Sequence, residues 1–206
     1  MEMSKSSKRW LQEHNRDRYV NLARNRQLRS RAVFKLEELD RRHKLFRPGQ
    51  TVLDLGAAPG SWSAYAVEKV GPGGKVIAVD LLDMQPIVGV TFLQADLNDA
   101  ERLQYCIAEL GENSVDLVIS DMAPNLSGIA AVDQAGSLNL AESACRVACS
   151  VLRENGHFLV KLFQGGGSAA FRKQLVKKFD KVMQAKPRAS RANSSELYLL
   201  AKGYNM

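Results

Sequence analysis

The sequence predicts an α/β fold in which a mostly parallel, seven-stranded sheet carries helices on both faces. Short apolar segments typical of buried strands alternate along the chain with segments of helical periodicity. A glycine-rich turn separates the first of these strands from the helix that follows it. The length of 206 residues suits one such domain with a full hydrophobic core.

The N-terminal segment, residues 1–30, is predicted to be a basic extension outside a single domain that spans residues 31–206. Its residues are mostly polar or basic and lack a regular apolar pattern, as expected of an arm or a short surface helix. The first helix of the domain is predicted at 31–43, where Val33, Leu36 and Leu39 lie close to one face. A Pro-Gly pair after this helix marks its end.

The remaining segments alternate between strands and helices. The predicted strands are 51–55, 75–80, 90–95, 115–120, 157–163, 181–185 and 197–201. The predicted helices are 61–70, 100–110, 133–152 and 169–179. Because parallel strands need crossover connections, alternating strands and helices favour a parallel sheet that is buried on both faces.

The glycine-rich turn after the first strand is a candidate cofactor site. Residues 52–62 read Val-Leu-Asp-Leu-Gly-Ala-Ala-Pro-Gly-Ser-Trp. The glycine spacing is Gly-x-x-x-Gly and differs from the Gly-x-Gly-x-x-Gly that cradles a pyrophosphate. Close backbone approach and helix N-terminal amides at such a turn suit an adenosine-containing cofactor. We therefore predict that Gly60 contacts a cofactor that has no pyrophosphate.

Three acidic residues stand at the ends of successive predicted strands. Asp80 closes the second strand, about 20 residues beyond Gly60, where a carboxylate can accept hydrogen bonds from ribose hydroxyls. Asp96 follows the third strand and could meet an adenine amino group, and Asp121 follows the fourth. Each could instead be a helix cap or a turn residue, but three in succession favour a cofactor site. Trp62 either packs on the cofactor or fills the core.

Lys161 interrupts the apolar strand Phe-Leu-Val-Lys-Leu-Phe at 158–163. Lysine is rare in a strand that is buried on both faces. One interpretation is an edge strand whose lysine faces water. The other is a buried lysine. Burial would favour its neutral amine, which can take a proton from a hydroxyl. On this second interpretation Lys161 is a candidate general base.

The net charge of +7 is unevenly distributed along the chain. Residues 1–49 carry a net +8, residues 50–171 a net −8, and residues 172–191 a net +7. The acidic middle suits a cationic cofactor. The two basic segments are either solvated surfaces or contacts for the phosphates of a nucleic acid, and their interleaved aromatic residues favour the nucleic acid.

Cysteines and histidines are too few and too scattered to indicate a metal site. Cys145 and Cys149, four residues apart in a helical segment, are interpreted as small core residues, and the three cysteines fit a reducing compartment. No apolar run reaches the ~18 residues of a membrane span, and the N-terminus lacks the apolar core of a signal peptide. These observations lead us to expect a cytoplasmic protein.

Several segments together resemble one known family. They are Arg-Ser-Arg-Ala-Val-Phe-Lys-Leu at 29–36, Asp-Leu-Gly-Ala-Ala-Pro-Gly at 54–60, Ser-Asp-Met-Ala-Pro-Asn at 120–125, Val-Lys-Leu-Phe-Gln-Gly at 160–165 and Ser-Ser-Glu-Leu-Tyr at 194–198. In these segments the chain resembles the FtsJ/RrmJ (RlmE) family of ribose 2′-O-methyltransferases, over nearly its whole length. One departure is Ser61, where a second glycine is common in the family.

The resemblance implies a Rossmann-like methyltransferase fold that uses S-adenosylmethionine. It assigns the family's catalytic Lys-Asp-Lys-Glu residues to Lys35, Asp121, Lys161 and Glu196. It assigns the cofactor contacts to Gly60, Trp62, Asp80, Asp96 and Asp121. The substrate it implies is the A-loop uridine of 23S rRNA in the large ribosomal subunit. We expect a monomer with no metal and no membrane contact.

Three alternative functions are weighed against this one. The first is a ribose 2′-O-methyltransferase that acts on tRNA or on an mRNA cap. The second is a non-catalytic RNA-binding factor for ribosome assembly, although such a binder would have no need of a lysine in a buried strand. The third is a nicotinamide-dependent reductase, which the missing pyrophosphate fingerprint disfavours.

Overall fold

Seven strands form one sheet in the computed structural model, which describes residues 17–97, 114–191 and 193–205. The strands are β1 (Thr51–Leu55), β2 (Lys75–Asp80), β3 (Val90–Gln94), β4 (Val115–Ser120), β5 (Leu152–Phe163), β6 (Phe179–Ala185) and β7 (Glu196–Tyr204). The helices in this part of the chain are α1 (Arg18–Asn25), α2 (Val33–His43), α3 (Ser61–Val70), α4 (Ala130–Val151) and α5 (Ser168–Val176).

The strand order is β3-β2-β1-β4-β5-β7-β6. Strands β1 to β5 are parallel to one another, whereas β7 lies antiparallel between β5 and β6. The predicted fold class, a mostly parallel seven-stranded α/β sheet, is therefore confirmed. In parallel strands the carboxyl ends meet at one edge, so the loops after β1, β2, β4 and β5 lie together, as in other open α/β sheets that bind ligands there.

Helices cover both faces of the sheet, so the strands are apolar on both sides. On one face, α4 and α5 pack on the sheet through residues such as Ala144, Val147 and Phe171. On the other face, α2 and α3 pack through residues such as Leu36 and Trp62. Successive residues of a strand point to opposite faces, so each central strand contributes to both cores.

Several predicted boundaries differ from the structure. Strand β5 begins at Leu152, directly after α4, and the segment before His157 was not predicted as strand because Arg153, Glu154 and Asn155 are polar. Helix α5 ends at Val176, and the predicted helical residue Phe179 instead begins β6. The predicted helix at 100–110 lies outside the described residues. Periodicity alone does not locate such ends, because they depend on caps and on tertiary contacts.

Part of the predicted N-terminal extension is packed on the domain. Helix α1 buries Val20 and Ala23, and Ala23 belongs to a small apolar cluster with Val33, Phe34 and Ala189. Asp17 caps this helix, since its carboxylate accepts a hydrogen bond of 2.9 Å from the backbone amide of Tyr19. The short-helix alternative therefore applies to 18–25.

Within the described ranges, no helix is long and apolar enough to cross a membrane. In the same residues, no group of three or more histidine, cysteine or acidic side chains is arranged to hold a metal ion. Cys145 and Cys149 are half-buried on α4, pack against the core and have free thiols, with Sγ atoms 4.0 Å apart.

Candidate active site

Four charged side chains that are rare in protein interiors meet at the carboxyl edge of the sheet. Lys161 comes from β5, Asp121 follows β4, Lys35 lies on the first turn of α2, and Glu196 begins β7. The exposed fraction of each side chain is between 6% and 17%. Buried charges are retained only when they are paired, so the contacts among these four side chains hold the group together.

The four side chains form a chain of alternating charge. The Lys161 ammonium nitrogen lies 2.9 Å from Oδ1 of Asp121 and also donates to the Asp121 backbone carbonyl. The Lys35 nitrogen lies 3.8 Å from the same Oδ1 and 2.9 Å from Oε2 of Glu196. The sheet register places Phe163 opposite Glu196 and Lys161 opposite Tyr198. The paired strands β5 and β7 therefore hold Lys161 and Glu196, the first and last of the four charged side chains, close together.

Tyr198 is a site residue that the sequence analysis missed. It is fully buried, and its hydroxyl donates a hydrogen bond of 2.6 Å to Oδ1 of Asp121. Burial, together with the negative charges of Asp121 and Glu196, raises the pKa of this phenol well above its usual value, so it stays a donor. The spacing in the sequence could have indicated it: residues two apart on a strand share a face, and Tyr198 lies two residues beyond Glu196.

A cavity of about 310 Å³ opens directly above the charged chain, and Lys35, Lys161 and Glu196 form part of its wall. Arg31 and Arg191 also line it, as do the small polar residues Ser30 and Ser194 and the apolar residues Ala32, Ala123, Leu126 and Phe163. Its size lies at the lower end of the ~300–1,000 Å³ range typical of small-molecule sites. The lining combines cations that suit phosphate with apolar surface that suits a sugar or base.

The glycine turn after β1 has the backbone geometry that only glycine tolerates well. Gly60 has a φ of 94° and precedes α3 directly. A Cβ at this position would lie 2.6 Å from Ile87 Cδ1 and 2.7 Å from Met84 Sδ. A side chain there would therefore strain the backbone and collide with the β2–β3 loop, which closes over the turn.

Arg29 was not singled out by the sequence analysis, yet it joins the two loops around Gly60. Its guanidinium donates hydrogen bonds to the carbonyl oxygens of Pro59, Gln85 and Pro86, at 2.9 to 3.1 Å. The first of these carbonyls belongs to the glycine turn and the other two belong to the β2–β3 loop. One exposed side chain thus fixes the spacing of both loops.

The acids predicted to contact a cofactor stand where the sequence placed them. Asp80 ends β2, and its two carboxylate oxygens accept hydrogen bonds of 2.8 Å from the backbone amides of Ala58 and Leu82. A carboxylate has further lone pairs, so these bonds orient Asp80 without using all its acceptor capacity. Asp96 is exposed after β3. Their contacts with a cofactor stay predictions, as do those of Gly60 and Asp121.

Trp62 is 3% exposed and occupies the interior beneath the turn. Its indole nitrogen donates a hydrogen bond of 2.9 Å to the carbonyl of Ala32, and its ring lies 5.9 Å from that of Tyr198. These contacts favour the core alternative for Trp62. They also make the residue a spacer between α2, which carries Lys35, and β7, which carries Glu196.

The turn and the strand ends fit a cationic, adenosine-containing cofactor. Asp80, Asp96 and Asp121 stand at the carboxyl ends of β2, β3 and β4, and Leu81 and Leu82, which follow Asp80, are about two-thirds exposed (64% and 65%). Exposed apolar side chains next to a carboxylate present the surface that a purine and its ribose would cover. The acids supply the negative potential that favours a sulfonium ion.

The fold and this edge define a Rossmann-like α/β domain with a ligand site at the carboxyl ends of its strands. A family model described as FtsJ-like methyltransferase matches residues 28–204. This range covers the glycine turn, the strand-end acids and the charged chain. The chain therefore belongs to the FtsJ-like methyltransferase family.

Solved structures include similar proteins. One, from Plasmodium falciparum and provisionally described as a ribosomal RNA methyltransferase, has a TM-score of 0.78 and 27% sequence identity, with 85% of this chain and 98% of that chain covered. Another, from Clostridium thermocellum and provisionally described as an rRNA methylase, has a TM-score of 0.54 and 19% identity, with 82% and 97% covered. The second supports the fold alone.

Proposed function

We propose that this protein transfers a methyl group from S-adenosylmethionine to a ribose 2′-hydroxyl in RNA, and that its substrate is the A-loop uridine of 23S rRNA in the large ribosomal subunit. The observation that carries the proposal is the buried chain Lys161–Asp121–Lys35–Glu196 in the wall of the cavity. Family membership supports methyl transfer, and the Plasmodium protein's description supports ribosomal RNA. The particular uridine follows from the family resemblance in the five sequence segments given above.

The contacts of Lys161 suit a general base. A neutral amine has two N–H donors and one lone pair. The carboxylate and the backbone carbonyl of Asp121 accept from Lys161, so both donors can be used while the lone pair faces the cavity. A ribose hydroxyl bound there can give its proton to Lys161 as its oxygen forms the new bond to carbon.

Lys35 and Glu196 hold the target ribose in this proposal. Their nitrogen and carboxylate line the same cavity and are 2.9 Å apart, so they present a donor and an acceptor to a pair of sugar hydroxyls. S-adenosylmethionine supplies the electrophilic methyl group, and the bond from its sulfur to that carbon breaks as the oxygen–carbon bond forms. Because such a displacement must be in line, positioning supplies much of the rate.

Replacement of Lys161 tests the proposal. We expect Lys161→Ala to lower kcat for methylation of large ribosomal subunits by about 10²–10⁴-fold, the range for loss of a general base. Cofactor affinity, measured by calorimetry, should change little because Lys161 lies on β5, which β4 separates from β1 and the glycine turn that follows it. Methylation at the wild-type rate by this variant would contradict the assignment of the base.

The RNA target is tested separately with labelled S-adenosylmethionine. Large subunits, naked 23S rRNA, tRNA and capped mRNA are each incubated with the wild-type protein, and the modified nucleotide is then mapped. We expect the label on the 2′-oxygen of the A-loop uridine. Label on tRNA or a cap alone would favour the alternative substrate, and an RNA-binding protein that labels none of the four would favour the non-catalytic alternative.

A further inference from the structure

A second groove lies on the face of the sheet opposite the active-site cavity. It has a volume of about 660 Å³ and runs along α5, above the strands β5, β7 and β6. Leu162, Leu197 and Leu199 form its floor. Helix α5 forms one wall, and its residue Val176 is 57% exposed there. The groove is separate from the glycine turn and from the charged chain.

The groove and the active-site cavity share two strand ends. On β5, Lys161 and Phe163 line the cavity, whereas Leu162 lines the groove. On β7, Glu196 lines the cavity and the next residue, Leu197, lines the groove. Because successive strand residues point to opposite faces, a flexible chain that leaves the cavity over the end of β5 reaches the groove directly.

The rim between the two sites is built from glycine. The loop after β5 reads Gln164-Gly165-Gly166-Gly167, and Gln164 lines the groove. A Cβ at Gly166 would meet none of the described atoms within 4 Å, so the space above it is open, whereas Gln134 and Leu138 of α4 pack against Gly165 and Gly167. At Gly166, which has no side chain, another backbone can therefore pass close to the protein.

The groove is strongly cationic. Arg172, Lys173 and Lys177 line it, all three are exposed, and no aspartate or glutamate of the described residues lines it with them. Among the residues that the structure describes, none of the three forms a salt bridge. Three neighbouring cations without acids repel one another, and a polyanion relieves that repulsion.

We propose that this groove binds the single-stranded RNA segment next to the target nucleotide. Its cations contact successive phosphates, and its apolar floor receives a base or ribose, the combination typical of single-strand binding channels. A stiff duplex cannot turn from one face of a sheet to the other around one strand end, whereas a single strand can. The inference rests on the proposed function, because the cavity defines where the target nucleotide lies.

The first experiment measures the salt dependence of RNA binding. The variant Arg172→Ala/Lys173→Ala/Lys177→Ala is compared with wild type for binding a fluorescein-labelled single-stranded oligouridine over a series of salt concentrations. A matched control, Arg41→Ala/Arg47→Ala/Lys75→Ala, removes three exposed cations from α2, the α2–β1 loop and the start of β2, away from the groove. Both variants change the net charge equally.

Each phosphate contact to a single strand contributes ~0.7 to the slope of log K against log salt concentration. We expect the groove variant to lose about 2 units of slope and about a hundredfold in affinity at ~0.1 M salt. The control variant should lose much less of either. Equal losses in the two variants, or wild-type affinity in the groove variant, would overturn the proposal.

Methylation and crosslinking separate this inference from the proposed function. We expect the groove variant to show a raised KM for RNA with kcat unchanged. A photocrosslinker on Val176→Cys, with the native-cysteine protein as background, should label nucleotides adjoining the methylated one. Crosslinks only to distant nucleotides would overturn the groove and leave methylation intact. Wild-type protein that binds RNA without methylating it would overturn the proposed function. The salt dependence of binding would still show whether the groove binds RNA.

Discussion

Asp121 is the residue on which the candidate active site converges. Its Oδ1 atom lies within 4 Å of Lys35, Lys161 and Tyr198, and its backbone carbonyl accepts from Lys161. One carboxylate therefore orients two ammonium groups and a hydroxyl. Any change that rotates Asp121 also moves the side-chain nitrogen of Lys161, even if the change touches neither substrate nor cofactor.

Tyr198→Phe tests this role of Asp121. The change removes the hydroxyl that donates 2.6 Å to Oδ1 but keeps the ring that packs near Trp62. A hydrogen bond to a charged group contributes about 1.5–3 kcal/mol, so we expect kcat to fall by roughly tenfold to a hundredfold. KM for RNA should change little, since Tyr198 is buried behind Asp121. A raised KM with unchanged kcat would contradict this positioning role.

Lys35 and Glu196 show how far single residues could be interpreted from the sequence. Without the family resemblance, an ordinary surface ion pair would have been the preferred interpretation for both. They do pair with each other, at 2.9 Å, but each side chain is only 11% exposed. Residues 161 positions apart meet only through the tertiary fold, so neither burial nor partner is visible in local pattern. Lys161 was predictable because its apolar strand is local.

At the scale of elements, the central strands were predicted better than the N-terminal helix α1. The central strands are marked by continuous apolar runs, because both faces are buried. Helix α1 has no such mark. It depends on Asp17, which caps it, and on contacts of Asp17 with Arg31 and Arg191 from distant parts of the chain.

We expect Asp17→Ala to lower the free energy of unfolding by about 2 kcal/mol, because it removes both the helix cap, worth ~1 kcal/mol, and the partner of Arg31. Asp17→Asn keeps the cap and loses the charge, so it should cost about half as much. Urea unfolding of the three proteins measures both differences. Equal stability of Asp17→Ala and wild type would show that α1 is held by its apolar contacts alone.

At the scale of the whole molecule, the stability of the fold involves a carboxyl group that is buried in the middle of the sheet. Asp54 on the central strand β1 is 1% exposed and accepts a hydrogen bond of 2.6 Å from the hydroxyl of Ser63. Burial, assisted by the charges of Asp121 and Asp80 and opposed by the Ser63 bond, raises the pKa of Asp54 to about 7. The strand that leads into the glycine turn thus carries a carboxyl group that ionises only near neutral pH.

This pKa makes the stability of the fold depend on pH. In the unfolded chain Asp54 ionises near its ordinary pKa of 3.8, whereas the folded protein keeps the proton until about pH 7. Between these values the folded state binds more protons, so the free energy of unfolding falls as pH rises. At ~1.4 kcal/mol per pKa unit, the full loss above pH 7 is at most about 4.5 kcal/mol.

Asp54→Asn should remove this dependence, because asparagine can still accept from Ser63 and cannot ionise. The variant should be more stable than wild type at pH 8, and its advantage should shrink as pH falls towards 5, where wild-type Asp54 is largely protonated. Urea unfolding of both proteins at each pH gives the difference between their free energies of unfolding. Burial lowers the pKa values of His43 and His157 as well, but both histidines are present in the two proteins, so their titration cancels in this difference. A difference that is constant between pH 5 and 8 would place the ionisation of Asp54 outside this range.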